Sequence, residues 1–175
     1  GHLGFSEEEL SYYTDEKYAH EIGNIQKTVD SYAKKYDTKI PIAVAGGIDT
    51  PQKVKHVLNL GVQAVQVGTR FVTTEECDAD IRYKQAYIKA CKEDIVIVKS
   101  PVGMPGRAIK NTMLESVLRG ENIPPRKCYH CLAKCDPGKI PYCITKALIE
   151  AAKGNTEEGL LFCGANAYRA EKIEL

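Results

Sequence analysis

Apolar and polar positions change their rhythm several times along the chain. Glu7 to Lys35 is polar and charged with scattered Tyr, Ile and Val, which predicts a loop followed by a helix over about Tyr18 to Lys35. Ile40-Pro41-Ile42-Ala43-Val44-Ala45 is almost wholly apolar and stops at Gly46-Gly47, the pattern of a strand covered on both faces in a parallel sheet. Asp49 and Thr50 then offer N-cap oxygens, Pro51 suits a first helical turn, and Val54, Val57 and Leu58 recur at helical spacing before Gly61. Val62 to Val67 alternates and ends at Gly68-Thr69-Arg70-Phe71. The segment therefore reads as two successive parallel strands joined through a helix by a right-handed crossover.

Further along, Asp78 to Lys92 has a helical pattern, Ile95 to Val98 is a short β-branched run, and Ser100 to Arg107 holds two Pro and two Gly in what reads as an irregular loop. Ile109 to Arg119 is helical with Gly120 as its stop. Asn122 to Pro141 is rich in Pro, Cys and Lys and lacks apolar periodicity, so it reads as a loop or small lobe. A last helix is expected over Pro141 to Lys153, ended by Gly154, and Thr156 with Glu157 and Glu158 is expected to cap a short one after it.

Composition sharpens this picture mainly by exclusion. The 175 residues are 43% hydrophobic and 27% charged, enough for a domain that folds by burial. With 24 basic and 23 acidic side chains, the net charge of +1 creates no field that would favour nucleic acid or an anionic membrane. No run approaches the roughly 18 apolar residues of a membrane span, and GHLGFSEEEL lacks the features of a signal peptide, so the expected location is the cytoplasm. In that compartment the seven cysteines read as metal ligands or free thiols. The start without Met inside a Gly-rich turn reads as that of a fragment or processed product.

Two groups of residues carry candidate chemistry. Gly46-Gly47 and Gly68-Thr69 both fall at the C-terminal ends of neighbouring strands, where barrel enzymes keep their sites. Bare glycine backbone lets N–H groups approach phosphate oxygens, Thr69 can add a hydroxyl, and a following helix N-terminus favours the anion. The alternative reading is that these glycines only make tight turns. Their place in successive βα units matches the phosphate loops after strands 7 and 8 of a (β/α)8 barrel, so the fold class expected is α/β. It comprises the C-terminal portion of a TIM-type barrel (1–120) and a helical, Cys-rich C-terminal lobe (121–175). The second group is Cys128, Cys131, Cys135 and Cys143, dense enough for Zn2+ or an iron–sulfur cluster although the spacing follows no standard motif. The alternative there is reduced thiols packed as small apolar groups, a description expected also to fit Cys77, Cys91 and Cys163.

With these residues in hand, the chain resembles the nitronate monooxygenase family, formerly called 2-nitropropane dioxygenases, and the related flavin-dependent enoyl-acyl carrier protein reductases. The segments that carry the resemblance are Gly1-His2-Leu3-Gly4, IPIAVAGGI at 40–48, AVQVGTRF at 64–71 and KSPVGMPGRAIKN at 99–111. The resemblance implies FMN across a barrel mouth, its phosphate held by Gly46, Gly47, Gly68 and Thr69. It also implies that His2 stands near the flavin ring as a base or polar partner of the substrate, where an imidazole can take a proton near neutral pH. His20, His56 and His130 are expected at the surface, and Arg70 and Arg107 are weaker candidates for a phosphate or an acidic substrate.

The family's earlier strands lie before position 1, so the isolated chain is expected to be an inactive part of a barrel that depends on an N-terminal half. Nitronate oxidation through flavin and oxygen is the first expectation. Enoyl-thioester reduction with NAD(P)H as the reductant is the rival within enzymes, and a flavin-free barrel enzyme acting on a phosphorylated metabolite is a further one. A non-catalytic metal-binding or interaction lobe on a remnant barrel is the rival from another class. The partners expected are a small-molecule substrate, the N-terminal barrel half and, as a candidate, a second copy of the chain, with neither nucleic acid nor membrane.

Overall fold

The computed structural model describes residues 2–4, 6–10, 12, 14–133 and 135–175. It is α/β and divides into two compact units, Glu7–Gly68 and Gly1–Ser6 with Thr69–Leu175.

The first unit contains α1 (Glu7–Leu10), α2 (Asp15–Tyr36), β1 (Ala43–Ala45), α3 (Pro51–Asn59) and β2 (Ala64–Gln66). Helix α2 starts before the expected Tyr18 because Thr14, in extended conformation, accepts the Lys17 N–H on Oγ1 at 3.3 Å. Asp15 and Glu16 then favour the positive end of the helix. These charged residues carry no apolar period, so only capping chemistry marks the first turn. Helix α3 begins at Pro51 behind the Thr50 cap, as its sequence predicts. Strands β1 and β2 are parallel, with Ala43 opposite Ala64, Val44 opposite Val65 and Ala45 opposite Gln66.

The core of this unit is Ile22 from α2, Val57 from α3, and Ile48 and Val62 from the connections, with Val44 and Val65 packed against them. Burial of β1 on both faces is not found. Ala43 and Ala45 are exposed and Ile40 keeps 39% of its surface, because the two-strand sheet seen among the described residues is covered on one face only.

The second unit contains α4 (Thr69–Val72), α5 (Ile81–Lys89), β3 (Ile95–Lys99), β4 (Pro105–Ile109), α6 (Thr112–Leu118) and α7 (Ile144–Ala152), with 3-10 turns at Lys92–Asp94 and Ala167–Arg169. The expected irregular loop over Ser100 to Arg107 is corrected here: from Pro105 onward it is strand, paired antiparallel with β3 from Ile95 opposite Ile109 to Lys99 opposite Pro105. Proline at the first strand position removes no hydrogen bond the ladder needs, so the Pro and Gly that suggest a loop are compatible with a hairpin. On its other side β4 is joined by the returning chain, where Ile109 N–H donates to the Leu161 carbonyl at 3.0 Å and Cys163 N–H to the Arg107 carbonyl at 2.9 Å.

Apolar clusters lie on both sides of this ladder. Val98, Ala108 and Leu160 pack with Met113 and Leu114 of α6 and with Tyr142, Ile144 and Ala147. Ile109, Leu161 and Cys163 pack with Tyr87, Ala90 and Ala151. Helix α7 thus contributes to both clusters. Helix α6 starts at Thr112 rather than Ile109, because Asn111 caps it, taking the Leu114 N–H on Oδ1 at 2.9 Å while its amide donates to the carbonyls of Thr156 and Gly159. The short helix expected after Thr156 is a turn instead. Glu157 points its carboxylate at the start of α6, accepting from the Thr112 hydroxyl and N–H. Helix α7 begins at Ile144, and residues 124–140 contain neither helix nor strand among those described. No helix among the described residues is long and apolar enough to cross a membrane.

Lys84 is an ionisable group the core has absorbed. It is 7% exposed, and its ammonium donates to the carbonyls of Thr74 at 2.7 Å and Glu75 at 3.3 Å. Lys84→Met keeps the apolar stem but strands both acceptors, so it is expected to destabilise the fold by about 1–3 kcal/mol. Urea unfolding should show a lower midpoint at unchanged slope; an unchanged midpoint would mean the two bonds contribute nothing net.

Candidate functional site

In the first unit the parallel pairing sets the geometry. Because Ala45 lies opposite Gln66, Gly46-Gly47 and Gly68 leave the sheet at the same edge, the C-terminal ends of β1 and β2. Gly46 has φ 104° and Gly47 φ 65°, a left-handed region that side chains rarely adopt, and a Cβ at either position or at Gly68 would meet nothing within 4 Å. The edge therefore presents backbone with open space before it. Its carbonyls are held from behind: Lys53 Nζ donates to the Gly47 carbonyl at 3.0 Å and Tyr18 Oη to that of Ala45 at 3.4 Å. Anchored carbonyls and uncovered glycine N–H groups are what an anion-binding loop needs.

Thr69 and Arg70 belong to the second unit. Thr69 Oγ1 accepts the Gly164 N–H at 2.8 Å, and its hydroxyl proton remains to be donated. Arg70 Nη2 meets both carboxylate oxygens of Glu174, at 2.8 and 2.9 Å, in an ion pair exposed to solvent. The helix expected behind Gly68-Thr69 is the four-residue α4, too short to add an appreciable dipole.

His2 is built into the edge of the hairpin. Its backbone pairs with Gly106, and Leu3 N–H donates to the Pro105 carbonyl at 2.8 Å. The imidazole Nε2 is 2.8 Å from Ser100 Oγ, and the ring lies 4.8 Å from that of Phe162 at an angle of 59°. Ser100 is only 3% exposed and also receives the Val102 N–H at 3.4 Å, so a buried hydroxyl fixes an otherwise exposed imidazole. Gly106 makes room for this packing: a Cβ there would stand 2.6 Å from Phe162 Cε1. Gly1 lies outside the described residues. Cys163 is not a candidate nucleophile, because burial pushes its thiol up to about 11.

Sequence reasoning missed Ser100 and Phe162 as partners of His2. Ser100 at least opens the Pro- and Gly-rich segment that the sequence singles out, whereas Phe162 gives no local signal. His20, His56 and His130 are exposed, as expected, with His20 Nδ1 3.3 Å from Asn24 Nδ2. Cys91 departs from the expected packed thiol; it is exposed, and its Sγ lies 3.0 Å from Asp94 Oδ2.

Cys128, Cys131, Cys135 and Cys143 line a single small cavity together with His130. Burial, then the neighbouring Cys128, Cys131 and Cys143, hold the Cys135 thiol above its ordinary range. No disulfide joins the described cysteines, and among the described residues no group of three or more His, Cys, Asp or Glu side chains is placed to hold a metal ion.

Comparison with known proteins bears on this arrangement. The family profile described as nitronate monooxygenase matches residues 1–174. The chain belongs to the nitronate monooxygenase family. Within it, the chain is 37% identical over 87 residues to a probable nitronate monooxygenase of Staphylococcus haemolyticus, a match spanning 49% of this chain and 24% of that protein. A second, of Staphylococcus saprophyticus, is 33% identical over 78 residues, spanning 45% and 22%. Among solved structures, FabK from Thermotoga maritima superposes with a TM-score of 0.59 at 25% identity, over 79% of this chain and 41% of that one. Nitroalkane oxidase from Streptomyces ansochromogenes gives 0.54 at 23%, over 80% and 37%, a likeness of fold. The chain thus matches less than half the length of each of these proteins.

The contact between Gly106 and Phe162 makes a sharp test of the His2 corner. Gly106→Ala should destabilise by about 1–3 kcal/mol through overpacking, and Phe162→Leu in the same background should recover part of that loss. Strict additivity of the two changes in a double-mutant cycle would show that the ring does not rest on the glycine.

Proposed function

We propose that this chain supplies the phosphate-binding end and the substrate-facing histidine of an FMN-dependent oxidoreductase that oxidises nitronates and the nitroalkanes that give them on losing a proton, as the C-terminal portion of a (β/α)8 barrel that an N-terminal half completes. The observation that carries the reading is the shared edge formed by Gly46, Gly47 and Gly68 at the ends of two parallel strands, in a chain whose family is that of the nitronate monooxygenases.

The residues fit the cofactor's phosphate. Positive φ at Gly46 and Gly47 and open space where a side chain would stand at all three exposed glycines let a phosphate approach the backbone, whose N–H groups are the donors a phosphate monoester requires. Gly46, Gly47 and Gly68 would hold that group, and Thr69, the next residue after Gly68, is the hydroxyl that the family resemblance adds to them. When bound, FMN supplies the electron-accepting chemistry, which no side chain of the chain can provide. His2 acts on protons: an imidazole oriented through Nε2 by Ser100 can remove a proton from the carbon next to a nitro group. Ser100 and Phe162 act through His2 by fixing its ring.

Flavin fluorescence quenching tests the phosphate reading. Gly68→Val is the informative change because that glycine has no positive φ and a side chain there meets open space, so the fold tolerates it. It should weaken FMN at least tenfold and leave riboflavin, which lacks the phosphate, unchanged. Equal weakening of both would place the phosphate elsewhere. In the full-length protein, His2→Gln should retain flavin and lose about 100- to 10,000-fold in the proton-removal step, read as oxygen uptake with a nitroalkane. NAD(P)H consumption with an enoyl thioester, and no oxygen uptake with nitronates, would assign the chain to enoyl reduction instead.

A further inference from the structure

The flavin reading leaves the cysteines of the long loop without a task. Residues 124–140 run without helix or strand among those described, between α6 and α7. A stretch of this length inside a compact unit is uncommon unless something fastens it. Its base is closed by Ile123 N–H donating to the Pro141 carbonyl at 2.7 Å and by the bridge between Ile123 and Tyr142. Beyond that base, the loop returns to its starting point through cysteines.

Three observations converge on one point. Cys128, Cys131, Cys135 and Cys143 line the same cavity, of about 30 Å3, in company with Pro125, Leu132 and Ile140. The Cys128-x2-Cys131 turn is folded as a ligand turn: His130 takes a left-handed φ of 51°, and its N–H donates to Cys128 Sγ at 3.4 Å. Cys143 sits at the N-cap of the nine-residue α7, yet its sulfur makes no capping hydrogen bond and is left for other use.

We propose that Cys128, Cys131, Cys135 and Cys143 form a four-thiolate site for a single Zn2+ ion, which fastens the loop to the start of α7. A cavity of this size admits about one water-sized body and is too small for a four-iron cluster. The four sulfurs share the cavity but are not placed as a ligand set in this structure. Closing to the sulfur–sulfur separation of about 3.8 Å in a tetrahedral site with zinc–sulfur bonds of about 2.3 Å falls to the ion itself. Binding releases the thiol protons to solvent and involves no redox change. His130 lines the cavity but is not needed, since four sulfurs complete a tetrahedron.

The test is metal analysis of the full chain purified under reducing conditions. About one zinc per chain is expected, falling at least tenfold in Cys131→Ser/Cys143→Ser and unchanged in Cys91→Ser, whose thiol lies outside the loop. Should the double variant fail to fold, the unaltered protein decides: a chromogenic chelator should withdraw zinc while four thiols become reactive together, and Co2+ in its place should give sulfur-to-cobalt charge-transfer absorption. Four thiols that react freely before any chelator is added, disulfides among these cysteines, or iron with acid-labile sulfide in place of zinc would each overturn the proposal.

Discussion

Strand β4 is gripped from both sides, and the second unit is arranged around that fact. One edge pairs with β3 along its whole length. The other receives two separate pieces of chain, His2–Leu3 near Pro105 and Gly106 and the Leu161–Cys163 return near Arg107 and Ile109. A backbone saturated in this way cannot slip in register without turning Ala108 out of one apolar cluster and Ile109 out of the other. The same ladder carries the catalytic candidate: His2 is positioned because its backbone is an edge of the sheet, and its ring is positioned because Ser100 and Phe162 come with the neighbouring stretches.

Glycine serves two different physical ends. At Gly46 and Gly47 the backbone conformation itself demands it, and the result is exposed backbone with no side chain in front of it at the sheet edge. At Gly106 the conformation is ordinary and the demand is for room, because the Phe162 ring occupies the place a methyl group would take. The first use prepares a surface to receive a ligand and the second brings two protein segments together. A sequence pattern shows the same letter for both.

Much of the first unit was legible in its sequence. The apolar runs ended by glycine, the Thr50-Pro51 start of α3 and the candidate anion edge all follow from short-range rules, and parallel pairing follows from the helix between the strands. What misled was coverage: a continuous apolar run implies burial on both faces, while Ala43 and Ala45 lie exposed. In the second unit the Pro and Gly of Ser100 to Arg107 concealed a strand, because its hydrogen-bond partners lie on other segments. Nothing local to Arg70 signals its ion pair with Glu174, which comes from the far end of the chain.

The sequence by itself determined the Thr50-Pro51 start of α3, which glycines must turn, and which residue types could meet a phosphate or take a proton, since each of these rests on interactions within a few residues. Tertiary structure alone decided that His2 leans on Ser100 and Phe162, that Arg70 is engaged, that Lys84 is buried on two carbonyls, and that four loop cysteines share one cavity. These depend on contacts between residues distant in the chain, and such contacts are fixed by the packing of whole elements, which no local pattern records.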